Sequence, residues 1–345
     1  MASKIKLNKS SRFIWKKISI LVIDEISMLS ASLLDKLDYI AKVVLNNDLP
    51  FGGIQLVLSG DFLQLPCIDG DFCFTANCWR DLNLNPIVFT DIKRQVDQRF
   101  QQCLNNARFG KITDDDINYI STTITIKSDI IPTQILCKNI DVDIINKAKL
   151  LKISKEILFF DVDVDGPSDF NWKNHTNCVE HLELAIGAQV MLLINITDTN
   201  YVNGSRGVIK RFTSDNIPIV KFIDGTCREI GWHNWEVKDE NGKKIACIYQ
   251  IPLKLAWCIT VHKSQGATID CAIIDFAGIF EYGQAYVALS RCKTIENLKV
   301  KNITKNSFKA HPDALHFYEK IELQLEIDDL KRQLAELKLI VKQNE

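Results

Sequence analysis

Leu21-Val22-Ile23-Asp24-Glu25-Ile26-Ser27-Met28 is the stretch on which the reading of this chain turns. A short apolar run ending in two adjacent carboxylates is how a buried parallel strand delivers a Mg²⁺-holding Asp and a water-positioning Glu to the edge of an α/β sheet. The competing reading is an ordinary helix start, with Ser27 or Ser30 capping the helix that follows. From Leu29 to Leu45 apolar residues recur at helical spacing (Leu33, Leu34, Leu37, Ile40, Ala41, Val44), and Ile54 to Leu58 is a second short apolar run. The segment therefore reads as strand, helix, strand, with both strands buried on two faces. Ser59-Gly60-Asp61-Phe62-Leu63-Gln64-Leu65-Pro66 follows the second strand. Ligands of α/β sheets sit at the carboxyl ends of strands, so Gln64 is placed to reach the same phosphate as Glu25. A plain turn ahead of Pro66 is the alternative.

Such a site also requires a phosphate cradle of the form Gly-x-x-x-x-Gly-Lys-[Ser/Thr]. The first glycine is Gly52, and the Gly-Lys pairs at Gly110-Lys111 and Gly242-Lys243 lack both the earlier glycine and the following hydroxyl. These 345 residues are accordingly expected not to hydrolyse ATP unaided.

Composition narrows the class. With 46% hydrophobic residues the chain has material for two or three packed domains and is not a disordered tail. A formal net charge of −1 supplies no overall basic field, so any nucleic-acid contact must come from a local groove. The eleven cysteines are scattered without a Cys-x-x-Cys pair, which points to buried thiols in a reducing compartment. No apolar stretch approaches membrane-spanning length, and the basic start carries no leader-like run, so an intracellular, soluble protein is expected.

Further along, the texture alternates. A second α/β region runs from about Asp97 to Ile186 and resumes near Ile251. Between these pieces, short β-rich runs are separated by Asn203-Gly204, Asp224-Gly225 and Asn241-Gly242, the pattern of a small inserted barrel. The expected division is 1–95 for a partial first domain, 96–186 and 251–312 for the second, 187–250 for the insert and 313–345 for a C-terminal helix.

Asp24-Glu25-Ile26-Ser27-Met28, Gly60-Asp61-Phe62-Leu63-Gln64-Leu65-Pro66, Lys93-Arg94-Gln95, Val202-Asn203-Gly204-Ser205-Arg206-Gly207-Val208, Ile259-Thr260-Val261-His262-Lys263-Ser264-Gln265-Gly266 and Gly283-Gln284-Ala285-Tyr286-Val287-Ala288-Leu289-Ser290-Arg291 follow one another in order. The set resembles the successive motifs of the petite integration frequency (Pif-type) helicases of superfamily 1B, over roughly Trp15 to Lys299. The resemblance implies an α/β fold: tandem RecA-like P-loop NTPase domains, the first incomplete here, with a small SH3-like β-barrel inserted in the second. It implies ATP and Mg²⁺ as cofactors and single-stranded DNA crossing both domains. Carried over by position, Asp24 would hold Mg²⁺ through water, Glu25 would orient the attacking water and Gln64 would sense the γ-phosphate. Arg94 and Arg291 would be the arginine fingers, although Lys93 stands where the family usually has an aromatic. Gln265 and Gly266 would approach the nucleotide, and Thr260, His262, Lys263 and Ser264 would meet the DNA backbone. Repair, recombination and telomere maintenance are the settings implied.

Three features stand outside those motifs. Trp232 and Trp235, with Arg206, Lys210 and Arg211 nearby, suit stacking on single-stranded DNA, but packing inside a small barrel is the favoured reading. Asp161-x-Asp163-x-Asp165-Gly166 opens like a calcium loop yet has Trp172 where a bidentate Glu is required, and His175-x-x-Cys178-x-x-His181 has three zinc-compatible residues without a second pair. Both read as ordinary surface chemistry. Leu323, Ile327, Leu330, Leu334, Leu337 and Val341 trace a heptad seam, compatible with self-association through 323–341 or with one helix packed back on the second domain.

The expected function is an ATP-dependent 5′-to-3′ DNA helicase of the Pif type, with the phosphate loop supplied by an N-terminal helicase segment or partner. The alternative is a non-catalytic single-stranded-DNA-binding or regulatory remnant of such an enzyme. A relict that does not fold stably is the third possibility.

Overall fold

The computed structural model describes residues 9–344 except 69, 122–131, 137–138, 155, 240–241, 265–268 and 270; for 9–11, 139–141, 263 and 337–344 it describes the backbone alone. Helix α1 (Lys9–Lys17) leads into strand β1 (Ile20–Ile23). Helix α2 (Ala31–Leu45) then crosses over to β2 (Gln55–Leu58), which lies parallel to β1 with Ile20 opposite Gln55 and Ile23 opposite Leu58. Ser30 caps α2 by accepting the Leu33 N–H, which satisfies a donor the first turn leaves over. Asn46 ends the helix in the left-handed conformation.

One expectation is corrected here. The two strands are not buried on both faces: Leu21, Ile23, Leu56 and Leu58 pack into the first core, while Ile20, Val22 and Val57 are 52%, 62% and 44% exposed. Side chains alternate across a strand, and among the described residues only one face of this pair is covered.

Beyond an extended linker come α3 (Gln98–Arg108), α4 (Asp114–Ile120), β3 (Thr133–Leu136) and α5 (Asn139–Ile153). Three strands follow ahead of the expected start of the insert at 187: β4 (Leu158–Asp161), β5 (Asp163–Asp165) and β6 (His181–Leu184). Next are β7 (Gln189–Leu192), β8 (Arg206–Phe212), β9 (Pro218–Phe222), β10 (Cys227–Glu229), β11 (His233–Lys238), β12 (Lys244–Gln250) and β13 (Leu253–Leu255). They form a five-stranded sheet in the order β10-β9-β8-β7-β13, a three-stranded sheet β11-β12-β5 and the pair β4-β6, all antiparallel. Hairpin structure therefore spans 158–255, because β5 pairs with β12 and β13 with β7. Leu182, Val190, Val220, Phe222, Ile251 and Trp257 fill its core.

The chain then returns to the second α/β lobe with β14 (Cys258–Thr260), the short α6 (Val261–Ser264), β15 (Ala272–Asp275), α7 (Gln284–Ser290) and β16 (Leu298–Lys301). A four-stranded parallel sheet, β14-β3-β15-β16, packs with α3 and α7 around Phe100, Leu104, Ile135, Ile274, Val287 and Leu289. This α/β class is the one expected.

The last helix, α8 (Pro312–Asn344), packs chiefly on the first lobe, with Tyr318 also reaching Arg108 of α3. Ala314 is fully buried there, and the Phe317 ring stacks on Phe74 at 4.5 Å and meets Phe62 edge-on at 5.0 Å. Aromatic burial drives this docking and explains why the periodicity alone did not reveal the partner. Further along α8, Leu323, Ile327, Leu330 and Leu334 are exposed, and the side chains of Leu337 and Val341 lie outside the described residues. No helix among the described residues is long and apolar enough to cross a membrane.

Candidate active site

Strand β1 ends at Asp24, an exposed residue whose Oδ1 accepts the Glu25 N–H at 2.9 Å. Glu25 sits at φ 49°, ψ 48°, a left-handed conformation uncommon for a side chain of this size. The turn is held by two backbone bonds: Ile26 N–H to the Ser59 carbonyl and Ser59 N–H to the Ile23 carbonyl, both 2.9 Å. A Cβ at Gly60, whose φ is 151°, would lie 2.7 Å from the Ile26 nitrogen, so glycine is what lets the exit of β2 pass this close to the carboxylate turn. Strain maintained by such contacts is typical of functional turns.

The following loop carries Gln64. Asp61 organises it: its Oδ1 accepts the Leu63 N–H at 3.0 Å and its carbonyl accepts the Gln64 N–H at 3.0 Å. From the second lobe, Gly283 comes up against the same loop with φ 70°, and a Cβ there would stand 2.3 Å from the Gln64 carbonyl oxygen. Only a residue without a side chain permits that approach between lobes.

On the far wall, α7 ends at Ser290 and presents Arg291, which is 4% exposed. Its Nε donates to the Val287 carbonyl at 2.9 Å and its Nη2 to Ser290 Oγ at 2.8 Å. Arg94 donates to the Ser290 carbonyl at 3.1 Å. Beside it, buried Gln95 donates to the carbonyls of Ser290 (3.0 Å) and Cys292 (2.7 Å), pinning the linker to the end of α7. Burial, and then the field of Arg94, bring Arg291 down to about 10, with Tyr286 and Glu25 pulling the other way. It stays protonated at neutral pH, and the two guanidinium groups face an open cleft.

Glu25, Gln64, Arg94 and Arg291 all line that one cleft, as does Tyr286 of α7. The Tyr286 hydroxyl is pushed up to about 12 by burial and then by the Asp61 charge. Asp24 lies at the rim, outside the lining residues. Gln265 and Gly266 fall outside the described residues, as does the Lys263 side chain. Of the other residues expected to meet DNA, His262 is exposed, whereas Thr260 is 1% exposed and Ser264 fully buried with its hydroxyl donated to the Val261 carbonyl at 2.6 Å. Those two hydroxyls face the protein interior, because a strand end and the first turn of a helix pack into the core here.

Other features also resolve. Arg206 is buried and donates to Thr133 Oγ1 at 2.7 Å, so it does not join an exposed basic patch. Trp232 is 50% exposed and meets Phe160 edge-to-face, so the packing expectation is corrected for it; Trp235 is half-buried against His233, and Trp257 is the tryptophan in the core of the hairpin region. Asp161 pairs with His181 at 2.7 Å and Asp165 with Lys244, while His175 stacks on Phe170. Sequence reasoning did not single out Gln95, Arg108, Tyr286 or Tyr318. Gln95 and Tyr286 lie inside quoted motifs; Arg108 and Tyr318 carry no local signal at all.

The family described as PIF1-like helicase matches residues 1–116. The chain is 32% identical to uncharacterized protein 030L of Invertebrate iridescent virus 6, over 94% of this chain and 79% of that one. It is 36% identical to the ATP-dependent DNA helicase PIF1 of Xenopus laevis over 89% of this chain and 50% of that protein, so it spans about half the length of that relative. Bacteroides sp Pif1 in complex with ADP-AlF4 superposes with a TM-score of 0.80 at 31% identity, covering 92% of this chain and 78% of that one. Bacteroides Pif1 bound to ssDNA gives a TM-score of 0.66 at 32% identity, covering 92% and 78%. Likeness of this extent in both sequence and fold means that the chain belongs to the PIF1-like helicase family.

Proposed function

We propose that this chain is the part of an ATP-dependent 5′-to-3′ DNA helicase that completes the nucleotide site and grips single-stranded DNA. One observation carries the reading: Arg94 and Arg291, two cations brought together at the cost of burial, share a cleft with Glu25 and Gln64. Such a donor set fits a multiply charged anion, and the triphosphate–Mg²⁺ group suits it. Bound ATP supplies the γ-phosphate whose transfer to water drives the motor. Glu25 would orient the attacking water and draw off its proton, Gln64 would sense the γ-phosphate, and Arg94 and Arg291 would neutralise charge as it develops. Asp24, at the rim, would hold Mg²⁺ through water. Gln265 and Gly266 would approach the nucleotide from the second lobe.

The parallel-sheet lobes would be RecA-like and the hairpin-rich insert SH3-like. A relative bound to single-stranded DNA supports the same partner here, met by His262 and Lys263. Thr260 and Ser264 would shape that surface from beneath. The uncovered apolar side of β1 and β2 supports docking of a further α/β segment, the natural carrier of a phosphate loop. The exposed seam on α8 supports pairing with a second copy.

The test is DNA-stimulated ATP hydrolysis by the chain alone and joined to a phosphate-loop segment. The joined protein should turn over ATP and lose roughly 10²-fold or more on Glu25→Gln. Turnover by the 345 residues alone, indifferent to Glu25→Gln, would overturn the assignment. In a second reading, a DNA-binding remnant, DNA affinity persists and no added segment restores hydrolysis.

A further inference from the structure

Asp61, three residues before Gln64, is held from two other parts of the chain. Arg108, at the end of α3, binds it with both prongs of the guanidinium, Nε to Oδ2 at 2.8 Å and Nη2 to Oδ1 at 2.9 Å. Tyr318, on α8, donates its hydroxyl to Asp61 Oδ1 at 2.9 Å, and the Tyr318 hydroxyl oxygen accepts the Phe62 N–H at 3.2 Å. The Arg108 guanidinium lies over the Tyr318 ring, 4.8 Å from its centroid. The Arg108 and Asp61 side chains are 21% and 15% exposed, so this charge pair is sheltered from solvent. Fork geometry of this kind restricts a carboxylate in two dimensions, where a lysine would act as a point charge.

The consequence lies in what Asp61 in turn holds. It accepts the Leu63 N–H through its side chain and the Gln64 N–H through its carbonyl. With the Tyr318 bond to Phe62, every amide from Phe62 to Gln64 is tied to this cluster. On its other side the Gln64 carbonyl meets Gly283 at the start of α7, the helix whose far end leads into Arg291. The clamp thus joins the first lobe, α3 of the second lobe and the C-terminal helix at the base of the loop that faces the cleft.

We propose that Arg108 and Tyr318 are positioning residues for Gln64, and that α8 thereby belongs to the nucleotide-sensing machinery and is not merely a terminal appendage. This rests on the cleft being a nucleotide site, and its consequence is that loosening α8 blurs the reading of the γ-phosphate position without touching the rest of the cleft.

Tyr318→Phe tests it, since the ring packing is kept and only the hydroxyl is lost; Asp61→Asn is the second variant. Hydrogen exchange on the chain should show the amides of 62–64 opening on the order of tenfold faster in both, while those of α2 and the second-lobe sheet keep their protection. In the joined protein, binding of a fluorescent ADP should be unchanged in Tyr318→Phe. The tightening of that binding by aluminium fluoride should fall about fivefold or more, as in Gln64→Ala. Unchanged exchange at 62–64 would overturn the proposal. So would a full aluminium fluoride increment in Tyr318→Phe alongside a reduced one in Gln64→Ala. If Gln64→Ala also keeps the full increment, the nucleotide reading of Gln64 fails, and the proposal fails with it even where the exchange result stands.

Discussion

At the scale of single residues, the chemistry concentrates in a few side chains held under tension. Arg291 is buried beside another guanidinium and lowered to about 10 by burial and then by Arg94, an arrangement that a bound anion would relieve. Arg291→Lys in the joined protein should therefore lower DNA-stimulated hydrolysis by on the order of 10³-fold, while the thermal midpoint of the free protein stays level or rises. A rate within twofold of wild type would remove Arg291 from the site. Gly283 offers a purely steric test. With φ at 70° and the Gln64 carbonyl oxygen 2.3 Å from the place of a Cβ, Gly283→Ala has to push the lobes apart or strain the backbone. About 1–3 kcal/mol of stability should be lost, read from the urea midpoint.

Among the elements, α4 ties its N-terminal cap to a carboxyl held below its ordinary range. Thr113 and Asp116 form a reciprocal capping box, and Asp116 also accepts from Asn106 at 2.8 Å and from Arg99 at 2.9 Å. Burial alone would raise this carboxyl; the bonds from Asn106, Thr113 and Cys103 outweigh it and bring it down to about 2. A folded-state value below the unfolded 3.8 gives stability that is complete above about pH 4 and disappears as pH falls toward 2. Asp116→Asn should lose about 2 kcal/mol at neutral pH and flatten the stability curve between pH 4 and 2. An unaltered acid limb in urea titrations would show that the cap carries no such linkage. The element boundaries themselves were largely local matters. The α2 register follows from apolar spacing and Ser30, and the 206–222 hairpin from alternation and turn residues. The β4 to β6 strands ahead of 187 were missed because Phe159 is 69% exposed and β5 is three residues long, too little for a period to register.

For the molecule as a whole, two properties follow from how the lobes are assembled. Single-stranded DNA should bind with affinity that falls with salt, since the net charge is −1 and binding must come from local cations meeting the phosphates; a salt-independent affinity would argue for base stacking on Trp232 instead. The α8 seam, with Leu330 64% exposed and Leu334 53%, should make the chain associate with rising concentration in sedimentation runs, and Leu330→Glu should return it to monomer. By itself the sequence determined the α/β class, the strand–helix–strand unit around Asp24 and Glu25, the hairpin texture of the insert and the family motifs, because each is written in neighbouring residues at a fixed period or spacing. Tertiary structure alone decided that Glu25, Gln64, Arg94 and Arg291 share a cleft, that Thr260, Ser264 and Arg206 turn inward, and that α8 returns to the first lobe. It also decided the Asp61 cluster, whose partners lie 47 and 257 residues away. Contacts at such separations are selected by the packing of whole surfaces, and no local pattern in the chain encodes which surfaces will meet.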